Sequence, residues 1–392
     1  MIVSRVPWPL DKGDKLRAYN QLKEISKHHE VCLCCLSDQN IGSDDVAELQ
    51  KICSQLIIIK LNRFIILWRL FRALFSAKPY QVHYFYQNSV AKKIDKIIAE
   101  FKPDHLYCQM IRTSEYIKHY FQYKKTIDYM DCLSKGYQRR IDKSAFPVNI
   151  FIKSEYSRLA GYEHLIFDYF DFHTIISQQD KSYIFHNESD KIEVIPNGID
   201  KEYFSTKSRH CKYDLLFTGN MSYPPNIEAA TILCDKILPL LQVKYPGITL
   251  LIAGTNPPHS LQRRANSSIT ISGWMDDIRD AYDSARIFVA PMWLGSGLQN
   301  KLLEAMSMGL PCVTTDLANN ALQARPDIDI IIGNSAEAIA AACEELLEDL
   351  ARSKSIAENG QNYVRTNFSW QGSTEKLMRL WTKGNLNSGI ES

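Results

Sequence analysis

Short apolar runs alternate with stretches of helical periodicity along almost the whole chain. This is the pattern of parallel strands buried on both faces and covered by helices. In the first half the apolar runs predict strands at Ile2–Ser4, Val31–Leu36, Leu56–Leu61, His105–Cys108, Lys125–Tyr129, Thr174–Ser177 and Glu193–Ile195. Helical patterns fill most of the gaps, including Lys15–Lys27 and Ser157–Phe170. Pro196-Asn-Gly198 reads as a turn and the polar stretch Ser205–His210 as a linker. The alternation then restarts, with strands predicted at Asp214–Thr218, Thr249–Ala253, Thr270–Ser272, Ile287–Pro291, Cys312–Thr314 and Asp329–Ile332. Helices are predicted near 225–243, 276–284, 298–308, 335–350, 353–366 and 374–383. The expected fold class is therefore α/β, with two Rossmann-like doubly wound domains facing each other across a cleft. In such sheets ligands collect beyond the carboxyl ends of the strands.

Composition changes this picture in three places. A chain of 392 residues is too long for one ordinary core, which agrees with two domains. The formal net charge of +2 gives no case for nucleic acid as a partner, but its distribution is uneven. Residues 51–143 hold 18 Lys/Arg against 7 Asp/Glu, whereas residues 191–392 hold 19 against 22. Ten cysteines without regular spacing point to a reducing compartment and buried free thiols. Cys32 and Cys35 have the spacing of a redox pair, yet in a strand residues three apart point to opposite faces. Met1 leads straight into a strand and a turn, so no signal peptide is expected. The longest apolar segment, Phe64–Phe75, is interrupted by Arg69 and Arg72 and is too short to span a bilayer. A cytoplasmic protein is expected, with peripheral contact on the inner face of the cell membrane as an option. The basic sector around Arg63, Trp68, Arg69, Arg72 and Lys78 has two readings. It lies on an anionic membrane, or its apolar residues pack the amino-terminal core while the charges stay solvated. Packing in the core is the reading expected here.

Candidate chemistry concentrates in Gly295-Ser-Gly-Leu-Gln-Asn-Lys-Leu-Leu-Glu-Ala-Met-Ser-Met-Gly309. An apolar run ends in a glycine-rich turn, and a helical pattern starts at Leu298. Unpaired amides and the positive end of a helix dipole converge there, which suits a phosphate. Gln299, Asn300 and Lys301 crowd that helix start, and Glu304 stands among apolar residues, where a carboxylate needs a partner. An anion site with one acid a nucleoside's length away points to a nucleotide-diphosphate ligand. The glycines also serve as plain turn residues, and Leu302, Leu303, Ala305 and Met306 have core spacing. Gly219-Asn-Met-Ser-Tyr-Pro-Pro-Asn226 follows a strand and precedes a helix, so its loop faces the same edge. In the first half, Gly13 permits close approach at the first β–α turn, with Asp14, Lys15 and Arg17 around it. Arg112 and Asp131 follow their strands. His105 reads as a packed core histidine, and Asp327-x-Asp329 as a turn rather than a metal site, so no essential metal is expected.

The pattern G-S-G-x-x-x-K-x-x-E-A-M-x-x-G-x-P resembles the retaining group 1 (family 4) glycosyltransferases, which have the GT-B fold. Ile195-Pro-Asn-Gly-Ile-Asp200, Phe217-Thr-Gly-Asn220, Ile252-Ala-Gly254 and Ser272-Gly-Trp-Met-Asp-Asp-Ile278 occur in that family's order. Pro9-Leu-Asp-Lys-Gly-Asp-Lys-Leu-Arg17 and Asp128-Tyr-Met-Asp-Cys-Leu-Ser-Lys-Gly136 are similar to a subgroup of exopolysaccharide and surface-glycan assembly. The resemblance implies an acceptor-side domain at 1–204, a donor domain at 205–370, a helix at 371–386 crossing back to the first domain, and a flexible tail at 387–392. It implies hexosyl transfer from a nucleotide-diphosphate sugar to a glycan or lipid-linked glycan, with retention and without a cofactor. Donor contacts would come from Gly219, Asn220, Trp274, Met275, Gly295, Ser296, Gly297, Leu298, Gln299, Lys301 and Glu304. Glu304 would hold the ribose, Trp274 and Met275 the base. Lys301 and the amides of 296–299 would stabilise the departing diphosphate, with Arg112 and Asp131 also placed in the catalytic set. The acceptor side would be Gly13, Asp14, Lys15, Arg17, Arg112 and Asp131. Many family members carry a glutamate where Ser296 stands, which leaves the sugar open, and a basic residue where Asn220 stands, which leaves the departing phosphate to Lys301 and the helix end. Two alternatives stay open, a nucleotide-sugar epimerase and a non-catalytic sugar-nucleotide or glycan-binding subunit.

Overall fold

The structure, a computed structural model, describes residues 1–141, 144–204, 211–294 and 297–387. Gly295, Ser296, the expected linker at 205–210 and all but the first residue of the expected tail lie outside the described residues. Two compact units result, Met1–Pro196 with Trp370–Ser392, and Asn197–Ser369. The division thus falls after Pro196 rather than after residue 204. The reason is local: Asn197 Nδ2 donates to Asn300 Oδ1, Ile199 N donates to the Phe368 carbonyl, and Glu202 pairs with Arg279.

The first unit is a seven-stranded parallel sheet of β1 (Ile2–Val3), β2 (Cys32–Ser37), β3 (Gln55–Lys60), β4 (His105–Gln109), β5 (Lys124–Asp128), β6 (Phe172–Ile175) and β7 (Ile192–Val194). Its order is β3-β2-β1-β4-β5-β6-β7. Burial on both faces explains why β2 is almost continuously apolar. Cys32, Cys34 and Leu36 join one core, while Leu33 and Cys35 join the core on the other face. Cys32 and Cys35 thus point apart, and both are free thiols. The helix Trp370–Asn387 packs beside the helix Gly13–Ile25. Leu377 is buried there, and Trp381 donates to Thr126 Oγ1 at 2.9 Å while its ring lies tilted 4.6 Å from that of His105.

The apolar segment at 64–75 overturns one expectation. It forms the helix Arg63–Ala73, started by the Asn62 side chain accepting from Phe64 N and Ile65 N. Ile66 and Ala73 are its buried residues. Phe64, Leu67, Trp68, Phe71, Leu74 and Phe75 are exposed, so the core reading of these aromatics fails. The stripe has core spacing, but the inward face of the helix is already filled by smaller residues.

The second unit is a six-stranded parallel sheet of β8 (Tyr213–Thr218), β9 (Leu250–Ala253), β10 (Ile269–Gly273), β11 (Ala285–Ala290), β12 (Cys312–Thr314) and β13 (Ile331–Ile332), in the order β10-β9-β8-β11-β12-β13. In each sheet the order reverses once, between β1 and β4 and between β8 and β11. The loops leaving those two neighbours diverge and open a crevice at the carboxyl ends of the strands. Each unit therefore has one topologically determined place for a ligand.

Candidate active site

In the second unit the crevice is built on glycine. A Cβ on Gly254, whose φ is +136°, would lie 1.9 Å from the Gly219 carbonyl oxygen, and one on Gly219 would lie 2.7 Å from Asn226 Nδ2. No side chain fits at either position, so bare backbone forms this wall. Asn220 is folded into the turn. Its side-chain oxygen accepts from Ser222 N at 2.9 Å, and its main-chain carbonyl accepts from Asn226 Nδ2 at 2.9 Å. That bond orients the Asn226 side-chain oxygen, which accepts from the Lys301 ammonium.

Lys301 is half-buried. Its Nζ lies 3.5 Å from Gln299 Oε1, 3.8 Å from Met292 Sδ and 5.1 Å over the Phe217 ring. Burial lowers its pKa to about 7, and the nearby Glu304 carboxylate opposes that shift without cancelling it. Glu304 lies one helical turn further on and accepts from the Tyr282 hydroxyl at 2.7 Å. Tyr282 is fully buried, its oxygen also 2.7 Å from Thr218 Oγ1. Burial raises the Glu304 carboxyl above its ordinary range, Tyr282 and Lys301 act against that, and Asp200 adds to it. Tyr203 faces the same acid, its phenol raised first by burial and then by the charges of Glu304 and Asp200. The helix itself begins at Asn300, with Gln299 as its cap, not at Leu298. Gly297 has a φ of +75° and Leu298 is buried, so the chain turns at 297–298 before the helix starts. The amides at its N-terminus are those of Asn300 and Lys301 onward rather than those of 296–299. Trp274 and Met275 follow β10 at the sheet edge. The Trp274 ring is 65 % exposed, its Nε1 3.3 Å from Asp276 Oδ1, and Met275 is half-buried.

The first unit's crevice holds different chemistry. Arg17 is not available to a ligand, which corrects its placement on the acceptor side. It is fully buried, donates to both Asp128 oxygens at 2.6 and 3.0 Å, and caps the Ile195 carbonyl at 2.7 Å. Tyr107 adds a hydrogen bond to Asp128 at 3.0 Å, and Thr174 another at 2.9 Å. That cluster ties β4, β5, β6 and the chain end of β7 to the first helix. Gly13 is the first residue of that helix, and Lys15 pairs with Asp11 at 2.8 Å. Asp14 accepts from Arg5 at 2.5 Å and stands 3.9 Å from Arg112 Nη1. Arg112 donates from Nε to Gln81 Oε1 at 2.7 Å and lies 5.7 Å over the Phe85 ring. Burial lowers its pKa, as does Arg5, against the pull of Asp14 and Asp131. Asp131 has a buried Oδ1 with no hydrogen-bond partner among the described residues. Burial and the neighbouring Asp180 raise its pKa to about 7, with Arg112 opposing. Beside these groups is a pocket of about 480 Å³ lined by Arg5, Lys12, Arg112, Tyr80, Tyr84, Phe85, Tyr137 and Ile152 among others.

Residues 212–349 match the sequence family described as Glycosyl transferases group 1. An uncharacterised 44.6 kDa protein of the cps region of Klebsiella pneumoniae is 24% identical over 386 residues, 92% of this chain and 94% of that protein. The phosphatidyl-myo-inositol mannosyltransferase of Mycolicibacterium smegmatis is 28% identical over 206 residues, 49% of this chain and 52% of that enzyme. The second unit therefore carries a sequence of the group 1 glycosyl transferase family. The Anabaena protein HepE, solved with UDP and glucose, superposes with a TM-score of 0.66 at 12% identity, covering 97% of this chain and 98% of that one. That likeness is one of fold, and the fold is GT-B.

Several groups at these two crevices were not singled out in the sequence. Tyr282 and Thr218 read as core residues of a helix and a strand, and only the fold shows their hydroxyls meeting at Glu304. Asn226 looked like an ordinary residue of a helix start. In the first unit Arg5 comes from the first strand's end, and Gln81 and Tyr84 from one short helix, Tyr80–Phe85, that the fold brings beside it. An acid among apolar helix positions did flag Glu304, and a lysine at a helix start did flag Lys301.

Proposed function

We propose that this glycosyl transferase moves a hexose-type unit from a nucleotide-diphosphate sugar to a glycan or lipid-linked glycan, with retention, in bacterial surface polysaccharide assembly. One observation carries the donor reading: Lys301 and Glu304 stand one helical turn apart at the β8/β11 crevice, both half-buried and both shifted by burial. A departing nucleoside diphosphate develops negative charge, and a partly desolvated ammonium stabilises it more strongly than a solvated one would. The amides of Asn300 and Lys301 add the positive end of the helix. Glu304 keeps one oxygen on Tyr282 and offers the other to ribose hydroxyls. Gly219 and Gly297 let the backbone approach the diphosphate, with Asn220, Leu298 and Gln299 as the surrounding wall, and Trp274 with Met275 flanks the base. On the acceptor side, Asp131 takes the proton of the attacking hydroxyl, since a carboxyl with a pKa near 7 suits that exchange at neutral pH. Arg112 and Lys15 hold acceptor oxygens. Retention follows if the hydroxyl attacks on the face the diphosphate leaves. No metal is needed in this scheme, because Lys301 and the helix end supply the positive charge.

The HepE structure with UDP and glucose supports a UDP-sugar donor. The Klebsiella relative from a cps region supports a role in surface polysaccharide, and the mannosyltransferase of a phosphatidyl-inositol supports a lipid-borne acceptor. The test is donor binding by calorimetry with UDP- and GDP-sugars, with free nucleotide measured by chromatography. Replacing Glu304 with Ala should weaken donor binding about tenfold or more, the worth of hydrogen bonds to a charged group. Unchanged donor affinity would sink the ribose assignment, and turnover lost in EDTA would sink the metal-free scheme.

A further inference from the structure

The helix Arg63–Ala73 is apolar on the wrong side for a soluble domain. Phe64 is 84 % exposed, Trp68 57 %, Phe71 62 % and Phe75 83 %. Positions 64, 67, 68 and 71 repeat at i, i+3, i+4 and i+7, so they form one continuous stripe, and the Phe75 ring joins it just past the helix end, 5.9 Å from the Phe71 ring. The start of the helix Val148–Phe167 adds exposed Val148, Ile150 and Phe151. The two groups are neighbours: Leu70 and Phe151 line the same pocket, and Arg158 donates to the Ala73 carbonyl at 2.5 Å. A patch of this size marks a contact surface.

Charge decides what covers it. Residues 51–94 contain eight lysines and arginines and no aspartate or glutamate. The Arg72 guanidinium lies 4.8 Å over the Trp68 ring, on the exposed face itself. A second copy of the chain laid face to face would bring these cations together, whereas a negatively charged surface would neutralise them. The helix has 11 residues, too few to cross a bilayer, and no helix among the described residues is long and apolar enough to do so. Its aromatic residues, with arginines at their edge, match what a bilayer interface accepts.

We infer that the exposed face of the helix Arg63–Ala73, with the start of the helix Val148–Phe167, docks on an anionic lipid bilayer. The apolar stripe enters the acyl boundary, and Arg63 and Arg72 stay at headgroup level, while Lys78 is paired with Glu115 at 2.8 Å. The pocket holding Arg112 borders this face, so an acceptor carried in the lipid reaches it without leaving the membrane surface. The docking stands on the exposed face and does not rest on the proposed reaction.

The experiment is flotation of the full chain with vesicles of phosphatidylcholine alone and of phosphatidylcholine with one part in three phosphatidylglycerol. Binding should favour the anionic vesicles by about tenfold or more and weaken as salt is added. The double substitution Trp68→Ser with Phe71→Ser should lower it by about tenfold or more, and Arg72→Glu by a similar factor on the anionic vesicles only. These positions are exposed and outside the pocket, so an unchanged melting temperature and unchanged UDP-glucose binding certify the variants. No binding by the wild-type chain, equal binding to both vesicle types, or binding untouched by the double substitution would each overturn the inference. Self-association that the double substitution abolishes, with vesicles left unbound, would assign the face to a second copy and overturn it too. A chain that binds vesicles but transfers no sugar leaves the docking intact and fails only the reaction.

Discussion

The two units share one topology and differ in what they place at its switch point. In the second, glycines strip the crevice to backbone, and Lys301 and Glu304, with Asp200 near the acid, provide the charge. In the first, the crevice is lined by arginines, tyrosines and a carboxyl with a raised pKa, and it opens into a pocket. Bare backbone suits a ligand that must come close along its length, as a diphosphate does at a helix start. Bulky amphipathic side chains suit a ligand gripped on its faces and edges, as a sugar or a lipid head group is. The same fold thus yields two kinds of crevice, and the difference between them follows from side-chain choice rather than topology.

The comparison is tested most severely at Arg17, which belongs to the first unit's architecture and not to its crevice. Replacing Arg17 with Met leaves Asp128 buried with no cation. The expected loss is about 3 to 5 kcal/mol of stability, the usual result of breaking a buried pair from one side. It should appear as a fall in melting temperature or in the denaturant midpoint. A stable variant with a raised acceptor KM would return Arg17 to the ligand site and undo the correction.

Lys301 comes next. Its replacement by Met should cut kcat about 10²- to 10³-fold, the range for removing a preorganised group that stabilises developing charge. The matching change in the other crevice, Arg112→Met, should act mainly on acceptor KM. Steady-state kinetics with donor and acceptor varied separately would show the split. If Arg112→Met impaired donor binding and Lys301→Met did not, the assignment of the two crevices would be reversed.

How much of this was legible beforehand depends on the range of the interaction. All thirteen strands among the described residues were marked by apolar runs, displaced by a few residues at most, because the inner strands are buried on two faces and must be apolar and short. Glu304 and Lys301 were visible because each violates a local rule. The buried Arg17–Asp128 pair was not, since nothing in either segment announces a partner more than a hundred residues away. Arg17 was placed on the acceptor side beside Gly13, and the anion it meets is the protein's own Asp128. The stripe at 64–75 misled for the opposite reason. Its spacing is the spacing of a core face, and periodicity gives the existence of an apolar face without saying what lies against it.

The smallest expected effect separates the two crevices by the kind of cation each uses. Guanidinium groups keep their charge at any pH the protein survives, whereas the Lys301 ammonium, with a pKa of about 7, does not. At pH 8 the free protein holds Lys301 mostly neutral. A bound diphosphate stabilises the charged form and raises its pKa, so donor binding at pH 8 must take up a proton. Below about pH 6 the lysine is already charged and the uptake vanishes, so donor affinity should fall as pH rises through 7. UDP-glucose is the ligand to use, because its diphosphate does not titrate near neutrality. Calorimetry at pH 8 in buffers of different ionisation enthalpy should show an uptake approaching one proton, absent in Lys301→Met. The variant Lys301→Arg should keep binding with a flat pH dependence, which ties the effect to the titration and not to the contact. No uptake in the wild-type chain at pH 8 would mean that the lysine does not meet the diphosphate, and the second crevice would lose the feature that distinguishes it from the first.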